Sequence, residues 1–149
     1  MRKNIIVRWY RETDYKQVED LANQLATLFD DHFDNRWFEL YMAKRLMDNV
    51  SGCYVAVLGD EIIGSIFCDI LRDPTGSQYG SISNMMIKSE YRGQGIGDLL
   101  LNNAIKYLQI AGVPRIWANV RTETAPMVHL FEKNGFSQKF TIYESKIPS

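Results

Sequence analysis

The sequence predicts an α/β fold in which a twisted, mixed β-sheet carries helices on both faces. Two short apolar runs, Gly52–Leu58 and Glu61–Cys68, flank the turn signal Gly59-Asp60 and are typical of a hairpin. Longer segments place apolar residues at helical spacing, and in the second half they alternate with strand-like runs. A chain of 149 residues with this order of elements can bury one sizeable core. We therefore expect a single domain over residues 1–149.

The N-terminal half is predicted to contain one strand and two helices before the hairpin. The first strand covers Ile5–Trp9, and Thr13 or Asp14 caps the helix that follows. The apolar face of that helix consists of Val18, Leu21, Ala22, Leu25, Leu28 and Phe29. A second helix is predicted over Arg36–Met47, with Phe38, Tyr41, Met42 and Leu46 facing inward.

The C-terminal half is predicted to alternate strands with helices. The polar loop Arg72–Ser77 precedes a strand that ends at Ile87, and a leucine-rich helix follows. Gly112-Val113-Pro114 stops that helix. The remaining predicted elements are a strand over Arg115–Arg121, a helix over Ala125–Asn134 with Thr124 as its cap and Gly135 after its end, and a last strand over Phe140–Lys146 that closes the sheet.

Composition excludes several classes of function. Lysine and arginine number 17 against 18 aspartate and glutamate residues, so no global field favours nucleic acid or an anionic membrane. No apolar run approaches membrane-spanning length and the N-terminus resembles no leader, so we expect a cytoplasmic protein. Cys53 and Cys68 lie in apolar strand-like runs and are expected to be buried free thiols. Together with His32 and His129, they do not form a zinc-binding pattern, and no metal site is expected.

The segment Tyr91–Gly97 lies between the strand-like run Ile82–Ile87 and the leucine-rich helix. It carries three glycines at alternate positions, which let the backbone approach a ligand with several N–H groups free. The helix N-terminus adds orphan amides and the positive end of the helix dipole. A phosphate or pyrophosphate is therefore the expected ligand.

Other glycine-rich loops fit this segment less well. The dinucleotide fingerprint G-x-G-x-x-G would need its third glycine at Asp98 or Leu100. The phosphate loop of nucleotide hydrolases ends in Gly-Lys-Ser/Thr, whereas here Asp98 follows Gly97. A glycine-rich turn without a ligand remains the alternative when this segment is taken alone.

Two segments together resemble the GNAT superfamily of N-acyltransferases. Residues 85–97 resemble its acetyl-CoA motif, and Arg92, Gly95 and Gly97 fill the pattern Arg/Gln-x-x-Gly-x-Gly/Ala. Residues 130–136, Leu-Phe-Glu-Lys-Asn-Gly-Phe, resemble the family's Leu-Tyr-Glu-Lys-x-Gly-Phe. The resemblance covers residues 50–147 well and the first fifty only in outline. It implies a GNAT-like fold and an acyltransferase that moves an acetyl group from acetyl-CoA to a primary amine of a small molecule or peptide.

The resemblance also implies how acetyl-CoA is held. The amides of residues 93–98 would cradle the pyrophosphate. Strand-edge groups of residues 85–87 would bind the pantetheine arm, and one amide there would support the oxyanion. Core packing is the alternative for Met85 and Met86, and one of the two is expected to face the core. The expected cofactor-binding residues are Met85, Met86, Ile87, Arg92, Gly93, Gln94, Gly95, Ile96, Gly97, Asp98, Thr124 and Phe131.

Three residues near the C-terminus depart from the family pattern. Thr124 stands where the family often has asparagine, Met127 replaces a small residue, and Phe131 replaces the tyrosine that commonly protonates the departing thiolate. A phenyl ring has no proton to give. The family's glutamate base also has no evident counterpart. The candidates for a catalytic role are Ser83, Asn119 and Tyr143, none of them a carboxylate.

Four acidic residues around the junction of the first two helices bear on the class of acceptor. In the family this region commonly lines the acceptor cleft, so Asp30, Asp31, Asp34 and Glu39 would favour a cationic amine. A solvated helix connection explains the same charges equally well. The chain is expected to be a monomer or a homodimer. The alternative function is a catalytically weak acyl-CoA-binding sensor or regulatory module, which Phe131 and the missing carboxylates would suit.

Overall fold

The computed structural model describes residues 4–121 and 124–148, and within them the chain forms five strands and four helices. Its contacts define a larger compact unit that ends at Asn119 and a smaller one that begins at Val120. The strands are β1 Ile5–Trp9, β2 Ser51–Leu58, β3 Glu61–Arg72, β4 Gln78–Ile87 and β5 Ile116–Ala118. The helices are α1 Tyr15–Leu28, α2 Asn35–Met47, α3 Ile96–Ile110 and α4 Ala125–Lys133.

The five strands form one mixed sheet in the order β1-β2-β3-β4-β5. The first four strands pair antiparallel, and β5 pairs with β4 in parallel. The predicted hairpin joins β2 to β3 through Gly59-Asp60, where Leu58 lies opposite Glu61 and Gly59 has φ of 64°. Because β4 lies between β3 and β5, its backbone has one edge against β3 and the other toward β5.

One face of the sheet is covered by α1 and α2. Their buried side chains join inward-facing residues of β2, β3 and β4 in a single hydrophobic cluster. Its buried members are Tyr10, Val18, Leu21, Ala22, Met42, Cys53, Val55, Ile62, Phe67 and Met86. The helix-period pattern of α1 and the strand-period pattern of β2 therefore meet in one core.

The other face of the sheet is covered by α3. Two glycines let this helix lie close to the strands, because a Cβ at Gly80 would come within 2.8 Å of Leu108 Cδ1. A Cβ at Gly64 would lie 3.1 Å from Leu100 Cδ1. The prediction of a mixed sheet with helices on both faces is confirmed.

A buried ion pair that no sequence pattern indicated joins α2 to the sheet. Arg45 donates to Asp69 Oδ1 and to the carbonyl of Gly52, each at 2.5 Å. Its guanidinium lies 4.1 Å from the centre of the Phe67 ring. Burial lowers the pKa of Arg45, but the hydrogen bond that Arg45 donates to Asp69 and the charge of Asp69 together outweigh burial, and the net shift is upward. The pair fixes the C-terminal turn of α2 against the ends of β2 and β3.

Several element predictions were wrong in detail. Residues 140–146 form no strand. Their apolar residues favour an extended backbone, but this segment pairs with none of the described strands. The strand expected over 115–121 is reduced to Ile116–Ala118. In the helices, Leu28 is 56% and Leu46 45% exposed, because helical spacing gives a wider apolar stripe than the sheet covers.

Two expected caps also differ from the structure. Asp14 precedes α1, but its side chain makes no capping hydrogen bond. Its carboxylate instead accepts two hydrogen bonds from Arg8, at 2.7 and 2.9 Å. Thr124 precedes α4, yet its hydroxyl donates backward to the carbonyl of Arg121 at 2.8 Å.

Candidate active site

The sheet opens where β4 and β5 part. The two strands pair only at Gly80, Ser81 and Ile82 of β4, and the Asn119 N–H makes a last link to the Ile82 carbonyl at 3.3 Å. Strand β4 continues to Ile87. Within residues 4–119, no strand pairs with the β5 side of residues 83–87. This open edge offers backbone hydrogen-bonding groups to an extended ligand.

A bulge in β4 decides which groups face the open edge. Ser83 lies opposite Phe67 and Met86 opposite Ser65, so β4 has one residue more than β3 over this stretch. The Lys88 N–H donates to the Ile63 carbonyl at 2.8 Å. Because backbone groups alternate in direction along an antiparallel strand, those of Met86 point toward β3. Those of Met85 and Ile87 point toward the open edge.

The side chains of Met85 and Met86 are both buried, and Met86 belongs to the core beneath α1. This agrees with the expectation that one of the two faces the core. A ligand at the open edge would therefore meet the backbone of these residues, chiefly that of Met85, and not their side chains.

The glycine-rich segment leads from the open edge to the start of α3. A short 3-10 turn over Ser89–Tyr91 and an extended Arg92 are followed by Gly93 with φ of 76° and Gly95 with φ of 83°. Gly95 is the N-cap, and the first amide to donate within the helix is that of Leu99, to the Gly95 carbonyl at 3.2 Å. The amides of Ile96 and Gly97 precede it and have no intrahelical acceptor. Amides without an intrahelical acceptor at the positive end of a helix dipole are an arrangement that favours anions.

A polar cluster attaches this segment to the sheet. Glu61, the first residue of β3, accepts hydrogen bonds from Lys88 and, at 3.0 Å, from the Tyr91 hydroxyl. The hydrogen bonds from Lys88 and then Tyr91 lower the pKa of Glu61. Arg92 Nε donates to the Ile87 carbonyl at 3.2 Å, and its guanidinium remains exposed. Sequence reasoning missed Glu61 because about thirty residues separate it from its partners, and no local pattern reports such a contact.

Two of the three catalytic candidates lie together at the fork of the sheet. Ser83 directly follows Ile82 in β4, and Asn119 is the residue whose amide bonds to Ile82. Ser83 is half-buried and Asn119 is exposed. Neither is a carboxylate, so this fork supplies polar groups but no strong base.

The other predicted site residues belong to the smaller unit. Phe131 is 5% exposed and packs edge-to-face on Phe136, with ring centres 5.2 Å apart. Tyr143 is 92% exposed and lies in the segment without secondary structure. The roles of Thr124, Phe131 and Tyr143 toward a ligand stay predictions.

The acidic residues between α1 and α2 are all exposed. Asp34 caps α2 by accepting a hydrogen bond from the Trp37 N–H at 3.0 Å. Asp30 adopts φ of 54°, a conformation that aspartate tolerates better than most residues. At least Asp34 therefore has a structural role beside any role in binding an acceptor.

Over residues 4–121 and 124–148, no group of three histidine, cysteine, aspartate or glutamate side chains is arranged to hold an ion. Over the same ranges, no helix has the length and apolar character needed to cross a bilayer.

The family comparison agrees with this geometry. A model of the acetyltransferase (GNAT) family matches residues 7–136, so the chain belongs to this family. The predicted family is confirmed, and the enzymes of this family are acyltransferases that use acetyl-CoA. The comparison does not favour a binding module without turnover.

Individual relatives are distant. An uncharacterized N-acetyltransferase of Methanocaldococcus jannaschii is 26% identical over 108 residues, which are 70% of this chain and 46% of that protein. An N-alpha-acetyltransferase of Sulfurisphaera tokodaii is 24% identical over 91% of this chain and 82% of its own length. The chain thus spans less than half the length of the first of these relatives.

Solved structures show the same fold. An aminoglycoside N-acetyltransferase in complex with CoA superposes with a TM-score of 0.84, covering 98% of this chain and 97% of its own. At 13% identity, this likeness shows the fold alone.

Proposed function

We propose that this chain is an acetyl-CoA-dependent N-acetyltransferase that acts on a primary amine of a small molecule or peptide. The observation that carries the proposal is that the open edge of β4 leads directly to the N-terminus of α3. The open edge of β4 ends at Ile87, and nine residues later α3 begins with amides that have no intrahelical acceptor. An extended arm attached to a pyrophosphate matches this arrangement.

The residues present fit acetyl-CoA by their chemistry. The amides of Ile96 and Gly97 and the positive end of α3 suit the pyrophosphate. The backbone groups of Met85 and the Ile87 N–H suit the amide-bearing arm. Asp98 lies in the first turn of α3, where its carboxylate complements the helix dipole and only its backbone is required by the phosphates.

When bound, acetyl-CoA supplies a thioester that an amine nitrogen attacks, releasing the CoA thiol. The protein contributes orientation and hydrogen bonding at the fork between β4 and β5. Ser83 and Asn119 there are polar but not basic, so the amine is required in its neutral form or loses its proton to water. A missing general acid costs about 10²–10⁴-fold in rate, which slows the reaction without forbidding it.

The acceptor class follows from the α1–α2 connection. Asp30, Asp31, Asp34 and Glu39 are exposed and carry like charge, so they favour a cationic amine. A relative named as an N-alpha-acetyltransferase agrees with an amine as the acceptor.

The test is thiol release from acetyl-CoA with a panel of amines. The panel contains a peptide with a free N-terminus, a polyamine and an aminoglycoside, and an N-acetylated copy of the peptide is the control. We expect release with at least one amine and none with the blocked peptide. Tight acetyl-CoA binding in calorimetry without release for any amine would remove the proposed activity and leave a binding protein.

A further inference from the structure

We propose that Asn84 is a catalytic residue whose carboxamide oxygen holds and orients the attacking amine. The inference rests on the proposed function, because it assigns a residue of the same site. Sequence reasoning placed the polar candidates at Ser83 and Asn119 and passed over Asn84.

Asn84 has an unusual backbone. Its φ is 52°, and Asn84 and Asp30 are the two residues other than glycine with positive φ in the described chain. Left-handed geometry in the middle of a strand is costly for most residues, and asparagine is among those that tolerate it best. Asn84 belongs to the stretch in which β4 gains one residue over β3. Bulges of this kind redirect a side chain away from the regular alternation of the strand.

The side chain of Asn84 is also placed unlike the rest of its strand. It is the one exposed position of β4, and Met85 and Met86 beside it are buried. It comes two residues after Ile82, where the last link to the β5 side is made. The bulge therefore presents one carboxamide at the start of the open edge, directly before the backbone proposed to bind the acyl-carrying arm.

The Nδ2 of the Asn84 carboxamide contacts Ser83, whereas its Oδ1 can accept a hydrogen bond from a ligand. Asn84 Nδ2 lies 3.5 Å from Ser83 Oγ, a weak hydrogen bond within β4. This orientation directs Oδ1 away from Ser83, and Oδ1 can only accept. The N–H of a neutral amine can donate to it, which fixes the nitrogen lone pair for attack.

The chemical balance is simple. The amine nitrogen forms the new C–N bond, the C–S bond breaks with its electron pair going to sulfur, and the amine proton leaves to water. Asn84 takes no proton in this step and acts by hydrogen bonding alone.

Two substitutions separate this role from support of the bulge. Asn84→Gly keeps the positive φ without strain and removes the carboxamide. Asn84→Asp keeps an acceptor oxygen and a residue that tolerates this backbone, but it removes the donor and adds a negative charge. A structural role predicts that Gly performs at least as well as Asp, whereas an acceptor role predicts the reverse.

We expect Asn84→Gly to lower kcat/KM for the amine by roughly tenfold or more, the value of a hydrogen bond in this setting. The KM for acetyl-CoA should be unchanged. Calorimetry of the amine against the protein saturated with CoA, which forms no product, should show the same weakening. Asn84→Asp, which keeps an acceptor oxygen, should lower neither the amine affinity nor kcat/KM.

A matched control is Gln78→Gly, which places the same residue in the same strand far from the bulge. It should lose stability in thermal unfolding and retain the amine kinetics of the parent. If Asn84→Gly does not fold, Asn84→Asp decides alone, because a tenfold loss with the acceptor oxygen present would overturn the inference. Parent-like amine kinetics in a folded Asn84→Gly would also overturn it and leave the proposed activity intact. A parent protein without turnover on any amine would remove both.

Discussion

Gly95 combines two demands that glycine alone meets at no cost. It adopts φ of 83° as the N-cap of α3, and it lies beside the amides proposed to bind pyrophosphate. A side chain here therefore introduces backbone strain of about 1–3 kcal/mol and also fills ligand space. The two effects need to be separated before a loss of function can be assigned to the ligand.

Gly95→Glu should abolish acetyl-CoA binding in calorimetry, because a carboxylate and added bulk would stand beside the phosphates. Gly112→Glu is the matched control, since Gly112 has φ of 81° at the other end of α3 and a Cβ there meets no described atom within 4 Å. We expect both variants to lose similar stability and only the first to lose acetyl-CoA. Equal acetyl-CoA affinity in the two variants would contradict the assignment of the glycine-rich segment.

Phe131 is a residue whose identity bears on the rate of the reaction. The family resemblance places a proton-donating tyrosine at this position, and the phenyl ring here lacks that group. Phe131→Tyr should raise kcat, by at most about 10²–10⁴-fold, if protonation of the thiolate limits the rate. The KM for acetyl-CoA should change little, because the gain is confined to the transition state.

Steady-state kinetics with the best amine of the panel measure this effect. A neutral substitution would show that another step limits the rate. A fall in kcat of about tenfold or more in a folded variant would show that the phenyl ring itself is required, and the assigned role of this position would be wrong.

At the scale of elements, the glycine-rich segment is preorganised by its contacts with the start of β3. Glu61 holds both Lys88 and Tyr91, and Arg92 bonds to the Ile87 carbonyl. The Glu61–Lys88 ion pair is partly exposed and contributes little to global stability. The effect of these contacts is to fix the direction in which the chain leaves β4, which reduces the entropy lost when a ligand binds.

The α1–α2 connection carries the charge expected to recruit a cationic acceptor. Asp31→Asn together with Asp34→Asn should raise the KM for a cationic amine several-fold and reduce its dependence on salt. Asparagine retains the cap that Asp34 makes to the Trp37 N–H, so α2 should remain intact. Acetyl-CoA affinity serves as the internal control and should not change.

Kinetics at two ionic strengths provide the measurement. A KM that equals the parent value at both ionic strengths would show that these carboxylates do not recruit the acceptor. They would then be solvated side chains, of which Asp34 caps α2.

At the scale of the whole molecule, the parts that depend on local pattern were predicted well. The hairpin at Gly59-Asp60, the break at Gly112 and the glycine-rich helix start all follow from residues adjacent in sequence. The exposed Leu46 and the buried Arg45 one position earlier were not predictable, because hydropathy favours the opposite arrangement. Arg45 is buried because Asp69, 24 residues away, supplies its partner. Asn84 is missed for a similar reason, since a bulge depends on the register of two strands.

The acid stability of the whole molecule should depend on Asp14. Burial raises the pKa of this carboxyl, but the hydrogen bonds from Arg8 and from the Arg11 N–H outweigh burial and lower the pKa overall. A carboxyl whose pKa is lowered by folding adds stability that is fully present above the unfolded value of about 3.9. That contribution is lost as the pH falls through the lower, folded pKa.

Asp14→Asn should therefore reduce the free energy of unfolding by about 1–3 kcal/mol at pH 7, the value of hydrogen bonds to a charged group. The difference from the parent should shrink as the pH falls below about 4, where Asp14 of the unfolded chain takes up its proton, and should vanish below the lower, folded pKa. Urea unfolding at a series of pH values measures both effects. Asp60→Asn, in the exposed turn between β2 and β3, is the control and should have the free energy of unfolding of the parent at pH 7. A constant difference between Asp14→Asn and the parent down to pH values well below 4 would show that the Arg8 contact stabilises the fold by packing rather than by charge.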